Sequence, residues 1–426
     1  MEKRIIAIGM LVIAALVLLI TPVVKDSDKL ASADASSYIE ASQTTTVPDS
    51  SLDIPSNSST SSSEPSTSSD TTTAVTTATD ANSSSSDVTT KPTTITTKTT
   101  KTTTTTQGTK TPVKNGQYVS THGQLSVKGA DIVDKNGKKF QLIGMSTHGI
   151  AWFPSSVSKE NFKVLRDDWG CNSIRLAMYV DEWNNNQCYL SNKTTNYNLV
   201  VKGIEAAIDL NMYVIVDWHV LNPGDPTKYT NEAKAFFTKI AQKYKDCPNI
   251  IYEVCNEPNG SVTWNGQIKS YCQTVISEIR KYDKDAIIVC GTGTWSQDIH
   301  DVVNNKINDK NVVYAFHFYA DTHKDNFRTR VKDCYNNGLP ILVSEFGTCD
   351  ASGNSNFNAN ETKKWLNLLD SLNIGYFNWS LCNKAETASI LVPNASLASM
   401  KSGTSQLTEG GKLIRSLYRK RTGLDK

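Results

Sequence analysis

The chain lacks an excess of charge of either sign, and it lacks a block of basic residues in its second half. Its 426 residues carry 44 Lys and Arg against 42 Asp and Glu, a formal net charge of +2 at neutral pH. A protein that binds nucleic acid usually presents a clustered positive surface to the phosphates. The even balance therefore argues against nucleic acid as a partner.

The chain also lacks paired cysteine motifs. Its nine cysteines fall between positions 171 and 382 at irregular spacing, and no two form a Cys-x-x-Cys pair. An odd count without such pairs argues against a zinc site and against a complete disulfide framework. No glycine-rich phosphate loop follows the first predicted strand, which argues against a dinucleotide-binding fold. We expect neither a metal nor a cofactor.

Large apolar side chains are scarce between positions 25 and 115, where Ser and Thr dominate. The stretch from Thr93 to Thr106 is interrupted only by Ile95, Lys98 and Lys101. A segment of this composition cannot offset the entropy that folding would cost it, so we predict a disordered, extended linker. The composition is compatible with O-glycosylation but does not require it.

One long apolar run stands at the N-terminus, where residues 5–20 carry no charge and follow Lys3 and Arg4. Basic residues ahead of an apolar core are typical of a secretory signal. Extended to Val24, the run has about 20 residues, enough to span a membrane. For residues 1–24 a cleaved signal peptide and a retained membrane anchor both stay open. Either one predicts an extracellular protein, secreted or anchored to the outer face of the cytoplasmic membrane.

Eight short apolar runs recur in residues 116–426, which we expect to form one domain. Amphipathic stretches of helical length separate most of them, such as 202–210, 231–244, 267–282 and 362–372. Continuous apolar strands that alternate with helices indicate a parallel sheet buried on both faces. Eight such units fit an α/β fold of the (β/α)8 TIM-barrel type, with a doubly wound open sheet as the alternative. The predicted strands are 140–144, 173–178, 213–217, 249–254, 286–290, 312–316, 341–344 and 375–378.

Polar side chains stand at or just after the C-terminal ends of these predicted strands. That end of a (β/α)8 barrel carries the active site. A single histidine there would be read as a core or surface residue, but three of the six histidines occupy such positions. We therefore interpret the whole set as one converging site, composed of His148, Arg175, His219, Asn256, Glu257, His317, Tyr319, Glu345 and Trp379.

Two of these residues are carboxylates, each at the end of its own strand. Glu257 stands in Asn-Glu-Pro after the fourth run, and Glu345 begins Glu-Phe-Gly after the seventh. Cleavage of a glycosidic bond needs such a pair, because one group must be a protonated acid and the other a carboxylate that attacks the sugar or activates water. For a retaining reaction, we expect the two carboxyl groups to lie about 5–5.5 Å apart.

Eight short motifs follow one another along residues 123–418. They are Ile-Gly-Met-Ser-Thr-His-Gly at 143–149, Ser-Ile-Arg-Leu at 173–176, Val-Asp-Trp-His at 216–219, Val-Cys-Asn-Glu-Pro at 254–258, Gly-Thr-Gly-Thr-Trp-Ser-Gln at 291–297, Phe-His-Phe-Tyr at 316–319, Ser-Glu-Phe-Gly at 344–347 and Asn-Trp-Ser-Leu at 378–381. In this order they resemble glycoside hydrolase family 5, and most closely its bacterial endo-β-1,4-glucanases. Asn-Glu-Pro alone is shared by several barrel glycosidases, whereas the ordered set is specific.

The resemblance implies a retaining cellulase that cuts internal β-1,4-glucosidic bonds by double displacement. It assigns Glu257 as the acid/base and Glu345 as the nucleophile. We expect Arg175 and the Tyr319 hydroxyl to favour the ionised form of Glu345. A negative charge on Glu345 would in turn keep Glu257 protonated for its acid role.

The resemblance also implies which residues bind the sugar. Asn256 would donate to the 2-hydroxyl of the sugar that is attacked. Trp379 and Trp152 would stack on the non-reducing side and Trp295 beyond the cleaved bond, although barrel packing explains Trp152 equally well. The remaining residues expected to bind substrate are His148, Arg175, Tyr179, His219, His317, Tyr319, Lys384 and Glu386.

Two kinds of alternative stay open. Another β-glycanase of the same fold would be a mannanase, a xyloglucanase or a β-1,3-1,4-glucanase. A barrel without catalytic activity could bind polysaccharide at the cell surface, but the presence of both glutamates with Arg175, Asn256 and Tyr319 argues against it. We expect a monomer whose partner is cellulose or a related β-glucan.

Overall fold

A computed structural model of the protein describes residues 116–401 and 403–425. The predictions made for residues 1–24 and 25–115 concern positions outside this part of the chain. Within the described residues, no helix is both long enough and apolar enough to cross a membrane.

A small antiparallel hairpin, β1 (Ser126–Lys128) and β2 (Asp131–Val133), precedes the main sheet. The main sheet is a closed barrel of eight parallel strands in chain order, in which the last strand pairs with the first. This closure confirms the (β/α)8 fold over the open sheet. The barrel strands are β3 (Ile143–Thr147), β4 (Ser173–Tyr179), β5 (Tyr213–His219), β6 (Ile250–Glu253), β7 (Ile287–Cys290), β8 (Val312–Tyr319), β9 (Ile341–Gly347) and β10 (Tyr376–Leu381).

Helices follow most of the strands and cover the outside of the barrel. Several begin at a side chain that accepts a hydrogen bond from the first turn, as Asn358 and Thr408 do, which satisfies backbone donors that the helix leaves free. The α-helices of five or more residues in the described chain are α1 (Tyr118–His122), α2 (Lys159–Val164), α3 (Lys193–Asp209), α4 (Thr230–Tyr244), α5 (Lys269–Ile279), α6 (Asp325–Asn336), α7 (Ala359–Leu372) and α8 (Glu409–Thr422).

The barrel interior is apolar at one end and polar at the other. Alternate residues of each strand point inward, so Ile215 and Asp217 of β5 share a face, as do Ile251 and Glu253 of β6. The apolar members lie toward the strands' N-terminal ends and pack with the β1–β2 hairpin, which closes that end. The polar members lie toward the C-terminal ends, where the predicted site residues are found.

An extra residue in β9 changes which side chains point inward. Ala315 pairs with Leu342 and His317 pairs with Glu345, so β8 advances by two residues while β9 advances by three. A bulge of this kind opposes two residues to one and redirects a side chain. It lets both Ser344 and Glu345 face the barrel interior, where regular alternation would allow only one of them.

All nine cysteines lie in the described part of the chain and are free thiols, eight of them buried and Cys247 partly exposed.

Candidate active site

Glu345 lies on β9 with its carboxyl group held from two sides. Arg175 Nη1 donates to Oε2 at 3.1 Å, and the Tyr319 hydroxyl donates to Oε1 at 2.8 Å. Gly347 leaves room for the tyrosine, because a Cβ at this position would lie 2.2 Å from a ring carbon of Tyr319. Burial, and then the neighbouring Glu257, raise the pKa of Glu345 to about 7. Arg175 and Tyr319 do favour the ionised form, as expected, but burial outweighs them.

Glu257 follows the end of β6 and returns to the same end of the barrel. Its backbone N–H donates to the Val220 carbonyl at 3.1 Å, and its Oε1 lies 2.8 Å from Nδ1 of His317. Burial raises the pKa of Glu257 to about 8, with Arg175 opposing and Asp217 adding to the rise. Of the two carboxyl groups, Glu257 therefore keeps its proton to the higher pH.

The separation of the two carboxyl groups is short. A carboxylate oxygen of Glu257, a carboxylate oxygen of Glu345 and a ring nitrogen of His317 all lie within 4.8 Å of one another. A distance of this size fits double displacement, since an inverting site holds its carboxyl groups about 6.5–9.5 Å apart to admit a water molecule between them.

The same three residues are the one group within the described chain whose spacing could suit a metal ion. Their contacts fit an ion poorly. Both ring nitrogens of His317 and both oxygens of Glu345 are already in hydrogen bonds. The Arg175 guanidinium, 3.1 Å from Glu345, would also repel a cation.

Arg175 lies fully buried at the centre of the site. Its Nε donates to Glu253 Oε2 at 2.7 Å, and its Nη2 lies 3.0 Å from Asp217 Oδ2. Together with the contact to Glu345, these contacts surround the Arg175 cation with three carboxylates. A buried charge needs such partners, because burying it without them costs much free energy. Burial raises the pKa of Asp217 to about 7, although Arg175 opposes this.

Asn256 is held in one orientation by its neighbours. Arg175 Nη2 donates to its Oδ1 at 2.6 Å, so its Nδ2 must face His219 Nε2, 3.1 Å away. Asp217 Oδ2 lies 2.6 Å from His219 Nδ1 and fixes the other side of that ring. Burial holds the pKa of His219 well below its usual range. A neutral His219 therefore accepts from Asn256 and donates to Asp217.

Aromatic rings form one wall of the site. Trp379 lies beside an extra residue in β10. Its ring is nearly parallel to the His219 ring, with the ring centres 5.5 Å apart, and its centre lies 5.0 Å from that of the His148 ring. Tyr179 lies 4.0 Å from His219, and Trp152 packs edge-on against Tyr179 at 4.6 Å. Trp152 is partly exposed, so it both packs and offers surface to a ligand.

Lys384 and Glu386 follow β10 beside His148. Lys384 Nζ lies 2.7 Å from Glu386 Oε2, and Glu386 Oε1 lies 3.8 Å from His148 Nε2. Despite the ion pair, neither Lys384 Nζ nor Glu386 Oε1 has a partner of good hydrogen-bond geometry among the described residues. Two buried polar groups thus keep capacity for a polar ligand.

Trp295 is presented by a strained turn after β7. Thr294, Trp295 and Ser296 all have left-handed backbones, with φ of 51°, 53° and 58°. Each such residue costs about 1–2 kcal/mol. The backbone N–H of Trp295 donates to the Pro258 carbonyl at 3.1 Å, which ties this turn to the segment that carries Glu257.

Apart from Arg175, the third residue of β4, each predicted site residue lies on the C-terminal part of a barrel strand or on the loop after it. The structure brings the set to one end of the barrel, as expected from the sequence.

The sequence reasoning missed Trp183, on the loop after β4 at this same end. Its side chain is 50% exposed, more than any other tryptophan in the described residues. The backbone N–H of Trp183 donates to the Asn222 carbonyl at 3.2 Å, and the Asn222 side-chain amide donates to Glu182 Oε1 at 2.8 Å. The sequence signal that could have found Trp183 was its place just after a predicted strand, among polar residues.

Comparisons with known proteins agree with this geometry. The model of the cellulase family, glycosyl hydrolase family 5, matches residues 133–385. The chain belongs to this family. Endoglucanase N of Pectobacterium atrosepticum is 46% identical over 304 residues, which cover 71% of this chain and 66% of that protein. An endoglucanase of Clostridium saccharobutylicum is 43% identical over 68% of this chain and 61% of its own length. The chain thus spans less than two thirds of each of these curated relatives.

Solved structures give the same result. The catalytic domain of a Thermobifida fusca endoglucanase, solved in complex with cellotetraose, superposes with a TM-score of 0.68 at 34% identity. The match covers 71% of this chain and 99% of that domain. A structure from Cytophaga hutchinsonii superposes with a TM-score of 0.69 at 40% identity, covering 72% of this chain and 98% of the other.

Three further buried residues of this family 5 site were not singled out from the sequence. Asp217, Glu253 and Ser344 contact Arg175, His219 or His317 from inside the barrel. A polar residue at an inward position of an otherwise apolar strand was the signal that could have found them.

Proposed function

We propose that this protein is a retaining endo-β-1,4-glucanase that hydrolyses internal bonds of cellulose or a related β-glucan. One observation carries the proposal: two buried carboxyl groups approach within 4.8 Å, and Arg175 and Tyr319 hold Glu345 whereas His317 holds Glu257. The names of the relatives, which are endoglucanases, support the substrate class. So does cellotetraose in the related Thermobifida structure.

In the first step, a carboxylate oxygen of Glu345 attacks the anomeric carbon of the sugar. Glu257 gives its proton to the glycosidic oxygen as that bond breaks, and the product is a covalent glycosyl-enzyme. Arg175 and Tyr319 hold the two oxygens of Glu345 and so aim the nucleophile. Bond formation removes the negative charge of Glu345.

Loss of that charge changes the second carboxyl group. The pKa of Glu345 is raised by Glu257, and the reciprocal repulsion raises the proton affinity of Glu257. Once Glu345 is esterified, Glu257 ionises more readily and can take a proton from water. The water attacks the same anomeric carbon and restores Glu345, so the configuration is retained.

Asn256 meets the requirement for binding the sugar 2-hydroxyl. Its amide is fully buried and fixed by Arg175 and His219. An equatorial hydroxyl, as in glucose, can reach this amide, whereas the axial hydroxyl of mannose needs the site rearranged. A contact that strengthens toward the oxocarbenium-like transition state contributes to rate and not only to binding.

The rest of the cleft provides places for several sugars at once. Trp379 and Trp152 offer apolar surface on one side of the cleaved bond and Trp295 on the other, where sugar faces can stack. Lys384 and Glu386 supply the unused polar groups for hydroxyls. Binding on both sides of the bond favours internal cleavage over trimming from an end.

Viscometry and product analysis test this proposal. Carboxymethylcellulose should lose viscosity rapidly and release short β-1,4-gluco-oligosaccharides, with much weaker action on mannan. NMR of the first product should show the β-anomer. A higher kcat/KM on pure mannan would replace the endoglucanase assignment by another β-glycanase. Binding of glucan without any release of reducing ends would indicate the non-catalytic barrel.

We also propose that the protein works outside the cell, with residues 1–24 as a signal or membrane anchor, residues 25–115 as a spacer and residues 116–426 as the catalytic domain. Lys3 and Arg4 ahead of the apolar run support export. Fractionation tests this: an intact N-terminus in the membrane indicates an anchor, and a shortened chain in the medium indicates a signal peptide. Activity confined to the cytoplasm would contradict export. A monomer is expected in size-exclusion chromatography with light scattering.

A further inference from the structure

A continuous chain of hydrogen bonds runs behind the active site and connects the two carboxyl groups. All of its members are buried. The links are Glu257 Oε1 to His317 Nδ1 at 2.8 Å, His317 Nε2 to Ser344 Oγ at 2.9 Å, Ser344 Oγ to Glu253 Oε1 at 2.6 Å, Glu253 Oε2 to Arg175 Nε at 2.7 Å, and Arg175 Nη1 to Glu345 Oε2 at 3.1 Å.

The direction of each link follows from the number of protons that each group has. Arg175 can only donate, so Glu253 Oε2 accepts. Burial raises the pKa of Glu253, and Arg175 opposes this. Of the three carboxylates around Arg175, Glu253 makes the shortest contact and also meets the Ser344 hydroxyl, and both contacts favour its ionised form. Ser344 has one proton, and it donates that proton to Glu253. The Ser344 oxygen can then only accept from Nε2–H of His317.

This leaves His317 with a lone pair on Nδ1, facing Glu257. Burial lowers the pKa of His317 to about 4, so the ring is neutral near pH 7 and cannot carry a proton on both nitrogens. A contact of 2.8 Å between Nδ1 and Glu257 Oε1 then needs a proton on the carboxyl group. The hydrogen bond therefore favours the acid form of Glu257.

We propose that Ser344 and Glu253 are positioning residues that fix His317 as the Nε2–H tautomer, so that His317 Nδ1 holds the proton of Glu257. The role rests on the proposed function, because it matters where Glu257 acts as an acid. After Glu257 gives its proton to the leaving sugar, its carboxylate faces a lone pair. That unfavourable contact helps Glu257 to take a proton from the attacking water.

The first test reads the tautomer directly. The full-length protein, labelled with 15N-histidine, is examined by NMR near pH 7, and the His317 signals are assigned by their loss in His317→Gln. Protonated Nε2 with unprotonated Nδ1 is the expected result. A proton on Nδ1, or a fully protonated ring, would overturn the proposal whatever the activity of the enzyme.

The second test uses Ser344→Ala and Ser344→Thr. Without a hydroxyl at position 344, His317 is free to place its proton on Nδ1 and to donate to ionised Glu257. The basic limb of the kcat/KM profile should then move to lower pH by about one unit. Ser344→Thr keeps the hydroxyl, so its basic limb should lie at the same pH as that of the unmodified protein.

Ser344→Ala removes no ionisable group near Glu257 or His317, and among the groups that face them only Glu253 loses a hydrogen bond. The titratable and charged groups that face these two residues are Arg175 on β4, Asp217 and His219 on β5, Glu253 on β6, Tyr319 on β8, Glu345 on β9, and Tyr179 and Glu182 at the end of β4.

The outcomes separate this role from a structural one. Ser344→Ala that folds and loses activity equally at every pH, with its basic limb unmoved, would overturn the proposal. A limb that shifts in both Ser344→Ala and Ser344→Thr would also overturn it, because the hydroxyl would then not be the cause. Absence of glycanase activity in the unmodified protein would refute the proposed function alone, since the NMR result still decides the tautomer.

Discussion

Replacing Glu257 by glutamine should stabilise the fold at neutral pH while it abolishes the acid step. Glutamine has nearly the same shape, and its amide N–H can donate to His317 Nδ1 across the 2.8 Å contact that the carboxyl now makes. What changes is the ability to ionise. The pKa of Glu257 rises from 4.5 to about 8 in the folded protein, with burial as the main cause. The folded state therefore holds this proton over a pH range in which the unfolded chain releases it.

The size of the effect follows from that difference. At pH 7 the unfolded glutamate is 2.5 pH units above its pKa of 4.5, whereas folded Glu257 is still mostly protonated. At about 1.36 kcal/mol per unit, ionisation of the unfolded state favours unfolding by about 3 kcal/mol as an upper bound. Because the pair with Glu345 shares this energy, we expect Glu257→Gln to raise the free energy of unfolding by roughly 2–3 kcal/mol. For a domain of this size, that is a rise in Tm of roughly 4–8 °C.

The pH dependence gives the prediction its sign. A carboxyl group with a raised pKa in the folded state contributes its full stability at low pH and loses it as pH rises from about 4.5 to about 8. Calorimetric Tm values of Glu257→Gln and the unmodified protein should thus coincide near pH 4 and separate near pH 7. Glu409→Gln, an exposed change on α8 with 70% side-chain exposure, is the control and should shift neither value. No gain at pH 7, or an equal gain at both pH values, would refute the reasoning.

Four further predictions concern activity. With azide, Glu345→Gly should form the α-glycosyl azide and Glu257→Ala the β-azide from substrates with good leaving groups; one anomer from both variants would reverse or remove the assigned roles. The kcat/KM profile should be bell-shaped, with an acidic limb near the raised pKa of Glu345, about 7, and a basic limb near that of Glu257, about 8; a basic limb below pH 6 would contradict it. Trp183→Ala should raise KM for long glucans about 2- to 10-fold but not for an aryl cellobioside, with Tyr282→Ala, a 36% exposed residue ahead of β7, as the control; equal effects on both substrates would argue against a sugar contact. A chain that begins at Lys114 should keep full turnover on soluble glucan, and a loss of kcat with folding intact would show that residues 1–113 take part.

The positions of the strands could be predicted because burial on both faces leaves a readable pattern. Each predicted apolar run falls on one barrel strand, and the carboxyl-terminal location of Glu257 and Glu345 followed from that placement. The first strand begins at Ile143 instead of 140, because residues 140–142 lead into the barrel from the hairpin. The apolar side chains of residues 140–142 are also buried, so the apolar pattern alone does not separate this lead-in segment from the strand.

The contacts within the site could not be predicted in the same way. Arg175 and Glu345 are 170 positions apart, and Ser344 and Glu253 are 91 apart, so the closed barrel alone decides that they meet. The extra residue in β9 is also invisible in the sequence, where regular alternation would send Ser344 and Glu345 to opposite faces. Without that bulge, either the Glu345 carboxyl group or the Ser344 hydroxyl beside His317 would point away from the cleft.

The number of charges inside the barrel explains why one carboxyl group remains an acid. The described site holds four buried carboxyl groups, those of Asp217, Glu253, Glu257 and Glu345, and Arg175 directly contacts all of them except Glu257. Each ionisation makes the next one more costly, because like charges repel strongly at low dielectric. Glu253, Asp217 and Glu345 have the cation within 3.1 Å, whereas Glu257 has a neutral histidine instead. Glu257 is therefore the group that keeps a proton, which suits the acid role proposed for it, and the contacts of Glu345 with Arg175 and Tyr319 suit its proposed role as nucleophile.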